Sequence, residues 1–282
     1  MLFLPTKPVA SPAAGTSILR INREDISFET LPGRVVLLSV TVHNDSDAPS
    51  EPTTMRVNAA PLGVFLPSRE VGKVAVGKIP PRGKRVVKSA YAAPMSEGVS
   101  EREREKERGL RKASIRLLKS LGIQLPNEDL EVLPLESLMS RLMAGVLKVA
   151  WGLPDGCCWA GNFDVHVQGA SAERHCQGPV QLLAGKPNGA AFRVGDGKED
   201  RYRFQFLHDC ETRNWEFELI KLTTGDWHPM TQTWVSFSIK PPEGTTQGCA
   251  AVEVTRESTG KSAMVEFGFG TDTIPPGCYI GR

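Results

Sequence analysis

Between Phe163 and Phe269 lies a series of short runs in which large apolar side chains recur at every second position. Phe163, Val165 and Val167 alternate with Asp164, His166 and Gln168. Tyr202, Phe204 and Phe206 alternate with Arg201, Arg203 and Gln205, and Trp215, Phe217 and Leu219 with Glu216 and Glu218. Val235, Phe237 and Ile239 follow, then residues 250–255 and 264–269. Successive side chains of a strand point to opposite faces, so this period specifies half-buried strands with one face on a core. Gly185-Lys186-Pro187-Asn188-Gly189, Gly195-Asp196-Gly197 and Ser258-Thr259-Gly260 supply turns between them. Six or more such strands predict an antiparallel β-sandwich over residues 151–282. All five Trp and eight of the eleven Phe lie there, so this half is expected to hold most of the stability.

The N-terminal part has its own β pattern. Residues 1–16 are rich in Pro, Ala and Ser and read as a poorly ordered lead-in. Residues 17–94 read as a first sandwich. Val35 to His43 is a nearly continuous β-branched run, as expected of a strand inside a sandwich. Asn44-Asp45-Ser46-Asp47-Ala48-Pro49 then turns the chain, because Asn and Asp bond their own backbone. Met55 to Asn58, Val64 to Leu66, Val71 to Ile79 and Arg85 to Tyr91 follow, with Pro80-Pro81-Arg82-Gly83 as the last turn. A strand ending in the Asn-rich turn, then Ile79-Pro80-Pro81-Arg82-Gly83 and the closing strand at Val86-Val87, resembles the bacterial cell-adhesion-related Ig-like domains called CARDB. The resemblance covers about residues 18–93, and Ser46 stands where that family usually has Gly. It implies a non-catalytic interaction or spacer module and carries over no site residue.

Between the two β parts, residues 95–150 read as a helical insert. In Glu101 to Arg108, acidic and basic residues are opposite in charge at i,i+3 but alike at i,i+4, contributions that nearly cancel. A solvated, fraying helix is expected there, leading into Leu110, Ile115, Leu117, Leu118 and Leu121 and ending at Gly122. A second helix, about 135–150, places Leu135, Leu138, Leu142, Met143 and Val146 on one stripe. That stripe packs on a β-domain or meets a partner or membrane surface. Arg141 and Lys148 alone are few cations for a membrane-surface helix.

A chain of 282 residues with net charge +2 is no nucleic-acid binder that works through bulk electrostatics. The charge is uneven, positive over 1–94 and negative over 151–282, which favours docking of the two halves. No run approaches the ~20 apolar residues of a membrane span. Met1-Leu2-Phe3-Leu4-Pro5 lacks the basic start of a secretory signal. The chain therefore reads as cytoplasmic as it stands, or extracytoplasmic if an export signal is missing. All six cysteines (Cys157, Cys158, Cys176, Cys210, Cys249, Cys278) lie in the last part; an even count permits disulfides, but in a chain without an export signal buried free thiols are the expected state.

Where could chemistry reside? His166, His175-Cys176 and His208-Asp209-Cys210 form a His/Cys set, and Asp164 shares a strand face with His166. No C-x-x-C and no H-x₃₋₅-H spacing exists, so a metal centre would need tertiary convergence. Thr255 to Ser262 ends like a phosphate-binding loop but has Thr255 where the first Gly belongs, and reads as a hairpin turn. The carboxylates of Asp45-Ser46-Asp47 and Asp196 to Asp200 gather in turns that could hold calcium, though turn propensity explains both. Trp227-His228-Pro229-Met230 reads as a loop that offers Trp227 as a surface anchor.

The expected molecule is mainly β: two Ig-like antiparallel β-sandwiches joined by a helical insert. Its expected role is non-enzymatic, the binding of a protein or other macromolecular partner through Trp227 and the stripe of Leu138, Leu142 and Met143. No catalytic residue, metal or cofactor is assigned. The alternative is a metal- or cysteine-dependent hydrolase using the C-terminal His/Cys set.

Overall fold

The computed structural model describes residues 18–31, 35–92, 101–120, 122–123, 161–208 and 211–271. The lead-in at 1–16 and the second helix, with Leu138, Leu142 and Met143, lie outside the described residues. The chain is mainly β and its strand pairs are mostly antiparallel. Its first strands are β1 (Leu19–Arg20), β2 (Ile26–Leu31), β3 (Val35–Asn44), β4 (Thr53–Ala60), β5 (Gly63–Val64), β6 (Arg69–Val76) and β7 (Lys84–Ala92). Helix α1 (Glu101–Ser120) follows. The later strands are β8 (Gly161–Val167), β9 (Ala170–Val180), β10 (Asn188–Val194), β11 (Asp200–His208) and β12 (Glu216–Leu219), then β13 (Trp227–Met230), β14 (Thr233–Lys240), β15 (Gly248–Arg256) and β16 (Ser262–Phe269).

One sheet of eight strands, in the order β13-β11-β15-β16-β9-β8-β4-β6, runs through both parts of the chain. The joint is the antiparallel pairing of β4 with β8, which sets Val57 beside Val165 and Ala59 beside Phe163. Two four-stranded sheets cover it. In one, β3 pairs with β1, β2 and β7; the other runs β12-β14-β10-β5.

The covering sheets lie on opposite faces of the long one. Residues paired across a ladder share a face. Val57, Val165, Phe163, Arg174, Cys176 and Glu266 fall on one face by these pairings; Asn162, His175, Val265 and Val252 fall on the other. The first core joins the former face of β4, β6 and β8 to Phe28, Val36, Leu38, Val40 and Tyr91 of the sheet around β3. The second core joins the latter face of β11, β15 and β16 to Phe192, Val235, Phe237 and Ile239. The faces change use at β9 and β16, which pair in parallel.

Two devices tie the lobes together at this seam. The buried guanidinium of Arg174 pairs with Glu266 at 2.9 Å and donates through Nη1 to the carbonyl of Ile26 at 2.7 Å. That joins β9, β16 and the covering strand β2. The second is an arm between β4 and β6. Leu62 and Val64 leave the first lobe, enter the second core and hold β5 parallel to β10. Arg193 donates its N–H to the carbonyl of Leu62 at 3.1 Å, and Gly195 to that of Val64 at 3.2 Å. The approach is close enough that a Cβ on Gly63 would stand 2.2 Å from the Arg193 carbonyl oxygen.

The Asn-rich turn does what its composition implies. Asn44, buried at the end of β3, donates through Nδ2 to the carbonyls of Ala48, Ile79 and Pro80 and accepts from Ser46. Its side chain thereby closes the 44–49 turn on the 79–83 turn. Helix α1 is continuous through the alternating-charge run, with an i,i+3 pair between Glu105 and Arg108 at 3.0 Å. Of its apolar residues, Ile115 and Leu118 dock on Val35, Leu37 and Ala90, the outer face of the sheet around β3. Leu110 faces solvent.

Candidate functional site

The His/Cys set does not converge among the described residues. His175 and Cys176 are neighbours in β9 and so face opposite sides of the sheet. Cys176 faces the first core and is engaged in a disulfide, which corrects the expectation of a free thiol there and removes it as a nucleophile. Cys249 is buried and outside any disulfide, as expected of it. His208 lies three strands from Gln177 of β9, about 14 Å at ordinary strand spacing, with its ring against Phe217 at 4.8 Å. Asp209, Cys210 and the other cysteines lie outside the described residues. No group of three His, Cys, Asp or Glu able to hold a metal ion occurs among the described residues.

The i,i+2 pair does form. His166 Nε2 meets Asp164 Oδ2 at 2.9 Å, and Asn58 Nδ2 donates to the same oxygen at 3.3 Å. Further along this face, His175 Nδ1 bonds the carbonyl of Gly63, which pins the crossing arm to the long sheet. Glu173 Oε2 lies 3.4 Å from His175 Nε2, and this long contact with the His175 ring holds the Glu173 carboxyl below its ordinary range. Among the described residues, Asn162 Oδ1 and both polar atoms of Gln177 are buried without a hydrogen-bond partner. His166 and His175 sit at the two ends of this row. His166 is opposite Ser171, four residues from His175 along β9, roughly 14 Å at strand rise.

The turn carboxylates are held by arginines. Arg256 bonds Asp200 through Nε and Asp196 through Nη1, the latter at 3.1 Å. Asp45 pairs with Arg20 and Asp47 with Arg82, each at 2.7 Å. These guanidiniums hold Asp45, Asp47 and Asp200 below the usual carboxylate range. The segment from Thr255 to Ser262 is a hairpin turn between β15 and β16, closed by a 2.9 Å bond from Arg256 N–H to the Lys261 carbonyl.

Trp227 requires a correction. It sits in β13, an edge strand paired with β11, not in a loop, because Asp200 to Arg203 give its backbone a partner ladder. The Arg203 guanidinium lies over its ring at 5.1 Å, and the side chain is half-buried. The same strand leads to a surface concavity among the described residues. Pro229 and Met230 of β13, with Ile220, Leu222, Val235 and Trp234, line a groove of about 490 Å³ at one end of the second lobe. Trp234 is 41% exposed and Ile220 47% exposed. Thr231, Gln232 and Thr233 add uncharged hydrogen-bonding groups; Glu199 and Lys221 add one charge of each sign.

Local structure fixes this groove. In β14 the phase of Val235, Phe237 and Ile239 buries those residues and turns Trp234 outward. Register places Arg193 opposite, and its guanidinium lies 5.2 Å from the centroid of the Trp234 ring. The Thr231 carbonyl packs on Gly195, where a Cβ would stand 2.0 Å from it and where φ is +99°. Only glycine permits that approach. Lys221, at φ 68°, holds a left-handed conformation uncommon for a residue with a side chain. Trp234 and Ile220 were not singled out from the sequence, although the period through Val235 already assigns Trp234 to the outer face.

No family model and no curated protein matches the chain. Among solved structures it is similar to a family 123 glycoside hydrolase from Clostridium perfringens (12% identity, 32% of this chain and 21% of that one, TM-score 0.23). Red sea bream transglutaminase matches at 8% identity over 93% of this chain and 31% of that one, TM-score 0.25. The CupB6 tip adhesin from Pseudomonas aeruginosa matches at 9% identity over 92% and 99%, TM-score 0.20. The chain spans about a fifth and a third of the first two proteins. TM-scores this low assign neither fold nor function. No helix among the described residues is long and apolar enough to cross a membrane.

Proposed function

We propose that this is a non-enzymatic interaction protein built on two Ig-like sandwiches, which engages a macromolecular partner through the groove beside Trp234. The observation that carries the reading is the gathering of exposed Trp234 and Ile220 with Met230 and Leu222 around one concavity. Aromatic anchors backed by apolar neighbours are where binding energy concentrates. The CARDB-like pattern of residues 18–93 fits a spacer or presenting role for the first lobe. The disulfide at Cys176 supports placement in an oxidising compartment, hence the extracytoplasmic alternative.

The reading is tested on the full chain with immobilised peptides and glycans. Trp234→Ala and Ile220→Ser should abolish retention of whatever ligand binds while leaving the melting temperature unchanged. Turnover of ester, peptide, phosphate or glycoside substrates, lost in His166→Ala or His175→Ala, would instead establish the hydrolase.

A further inference from the structure

Resting on the groove as the binding surface, we infer that its ligand is a neutral carbohydrate, with Trp234 as the platform for one sugar ring. Three observations bear on this choice over an apolar peptide side chain or a charged ligand.

The first is the state of Trp234. The β10–β14 register sets it opposite Arg193, whose guanidinium lies over its ring at 5.2 Å, while 41% of the residue stays exposed and Trp234 is among the residues that line the groove. The faces of an indole carry negative potential, and one already stacked on a guanidinium needs little further ordering. The C–H bonds on one face of a pyranose carry the complementary positive character. The second is the polar lining. Thr231, Gln232 and Thr233 are consecutive, uncharged, and both donate and accept. Sugar hydroxyls have the same dual character, so each can be paired without a formal charge on the ligand. Among the lining residues Glu199 and Lys221 carry one charge of each sign, and the nearby Arg193 guanidinium is stacked on the Trp234 ring.

The third is shape. The concavity, about 490 Å³, falls within the range of small-molecule sites and lies open at the end of the lobe. An apolar peptide anchor draws its affinity from a fully desolvated pocket. Here the apolar wall is half-exposed and interleaved with hydroxyl and amide groups, which suits a wet ligand. Lys221 adds to this, since a side-chain-bearing residue held at φ 68° in the groove lining is the kind of outlier that accompanies ligand contacts.

The test is a glycan array and a parallel peptide library probed with the intact protein, followed by saturation-transfer NMR on any glycan retained. Neutral glycans should bind, with transfer strongest at the C–H protons of one ring. Trp234→Ala should weaken binding at least tenfold, Gln232→Ala several-fold, and Trp234→Phe less than Trp234→Ala. Near-identical melting curves for all three variants would separate these losses from misfolding. Glycan binding indifferent to both Trp234→Ala and Gln232→Ala, or no glycan bound at millimolar concentration, overturns the inference. If peptides alone are retained in a Trp234-dependent way, the carbohydrate assignment fails and the binding groove stands. If no ligand of either class depends on Trp234, both fail.

Discussion

Arg174 and Glu266 meet at 2.9 Å on the parallel neighbours β9 and β16, with 2% and 1% of their side chains exposed. They face the first core although β16 gives its other face to the second. An uncompensated charge left in such a place is costly. Glu266→Ala should destabilise the protein by about 3–5 kcal/mol. Arg174→Met combined with Glu266→Leu should lie closer to wild type than either single change, because no unpaired charge remains. Urea denaturation of the three variants measures this.

Gly63 predicts a second sensitivity of the seam. The arm fits between β10 and the long sheet only without a side chain, since a Cβ would meet the Arg193 carbonyl at 2.2 Å. Gly63→Ala should cost about 1–3 kcal/mol as an overpacked contact. It should also raise amide exchange at Arg193 and Gly195, whose N–H groups bond the arm. Exchange confined to other regions would mean that the arm is not seated as described.

Acid should act through the Arg256 cluster. Asp200 is held low chiefly by its bond to Arg256, so its folded value lies below its unfolded value near ~4. A carboxylate with a depressed value stabilises the fold above its unfolded pKa, and that contribution fades as pH falls toward the folded one. Stability should therefore decline below about pH 4. Asp200→Asn should be less stable at neutral pH and show a shallower acid slope. Melting temperatures from pH 7 to 2 provide the check.

Reduction should weaken the fold. Cys176 is disulfide-bonded while Cys249 is a buried cysteine outside any disulfide. Dithiothreitol, or Cys176→Ser, should lower unfolding free energy by about 2–5 kcal/mol. Cys249→Ala should leave the response to reductant intact. Equal stability with and without reductant would show that the cross-link contributes nothing.

Much of the β-structure was legible because alternation is local. Val235, Phe237 and Ile239 declare their buried face without reference to any other strand, and Tyr202, Phe204 and Leu219 do the same. The same rule separates His175 from Cys176, which adjacency in sequence had made look like a pair. What alternation does not encode is partnership. Val57 shows an inward face in any sheet, and only the assembled ladder sets it beside Val165, more than a hundred residues away. The arm was equally hidden, since Val64 reads as part of a strand whichever sheet receives it. Trp227 reads as an anchor from sequence because Trp227-His228-Pro229-Met230 reads as a loop. The edge of β11 gives that stretch a partner, and among the described residues the exposed tryptophan is Trp234.

The continuity of the long sheet has a consequence for any attempt to dissect the molecule. A fragment severed before residue 95 would keep β4 but lose β8 from its flank, baring a row of amide and carbonyl groups beside an apolar face. The complementary fragment would lack Leu62 and Val64 and carry a void where the arm enters. Each piece alone would be a sticky, incomplete body; mixed together, the two should seek each other out and re-form the ladder.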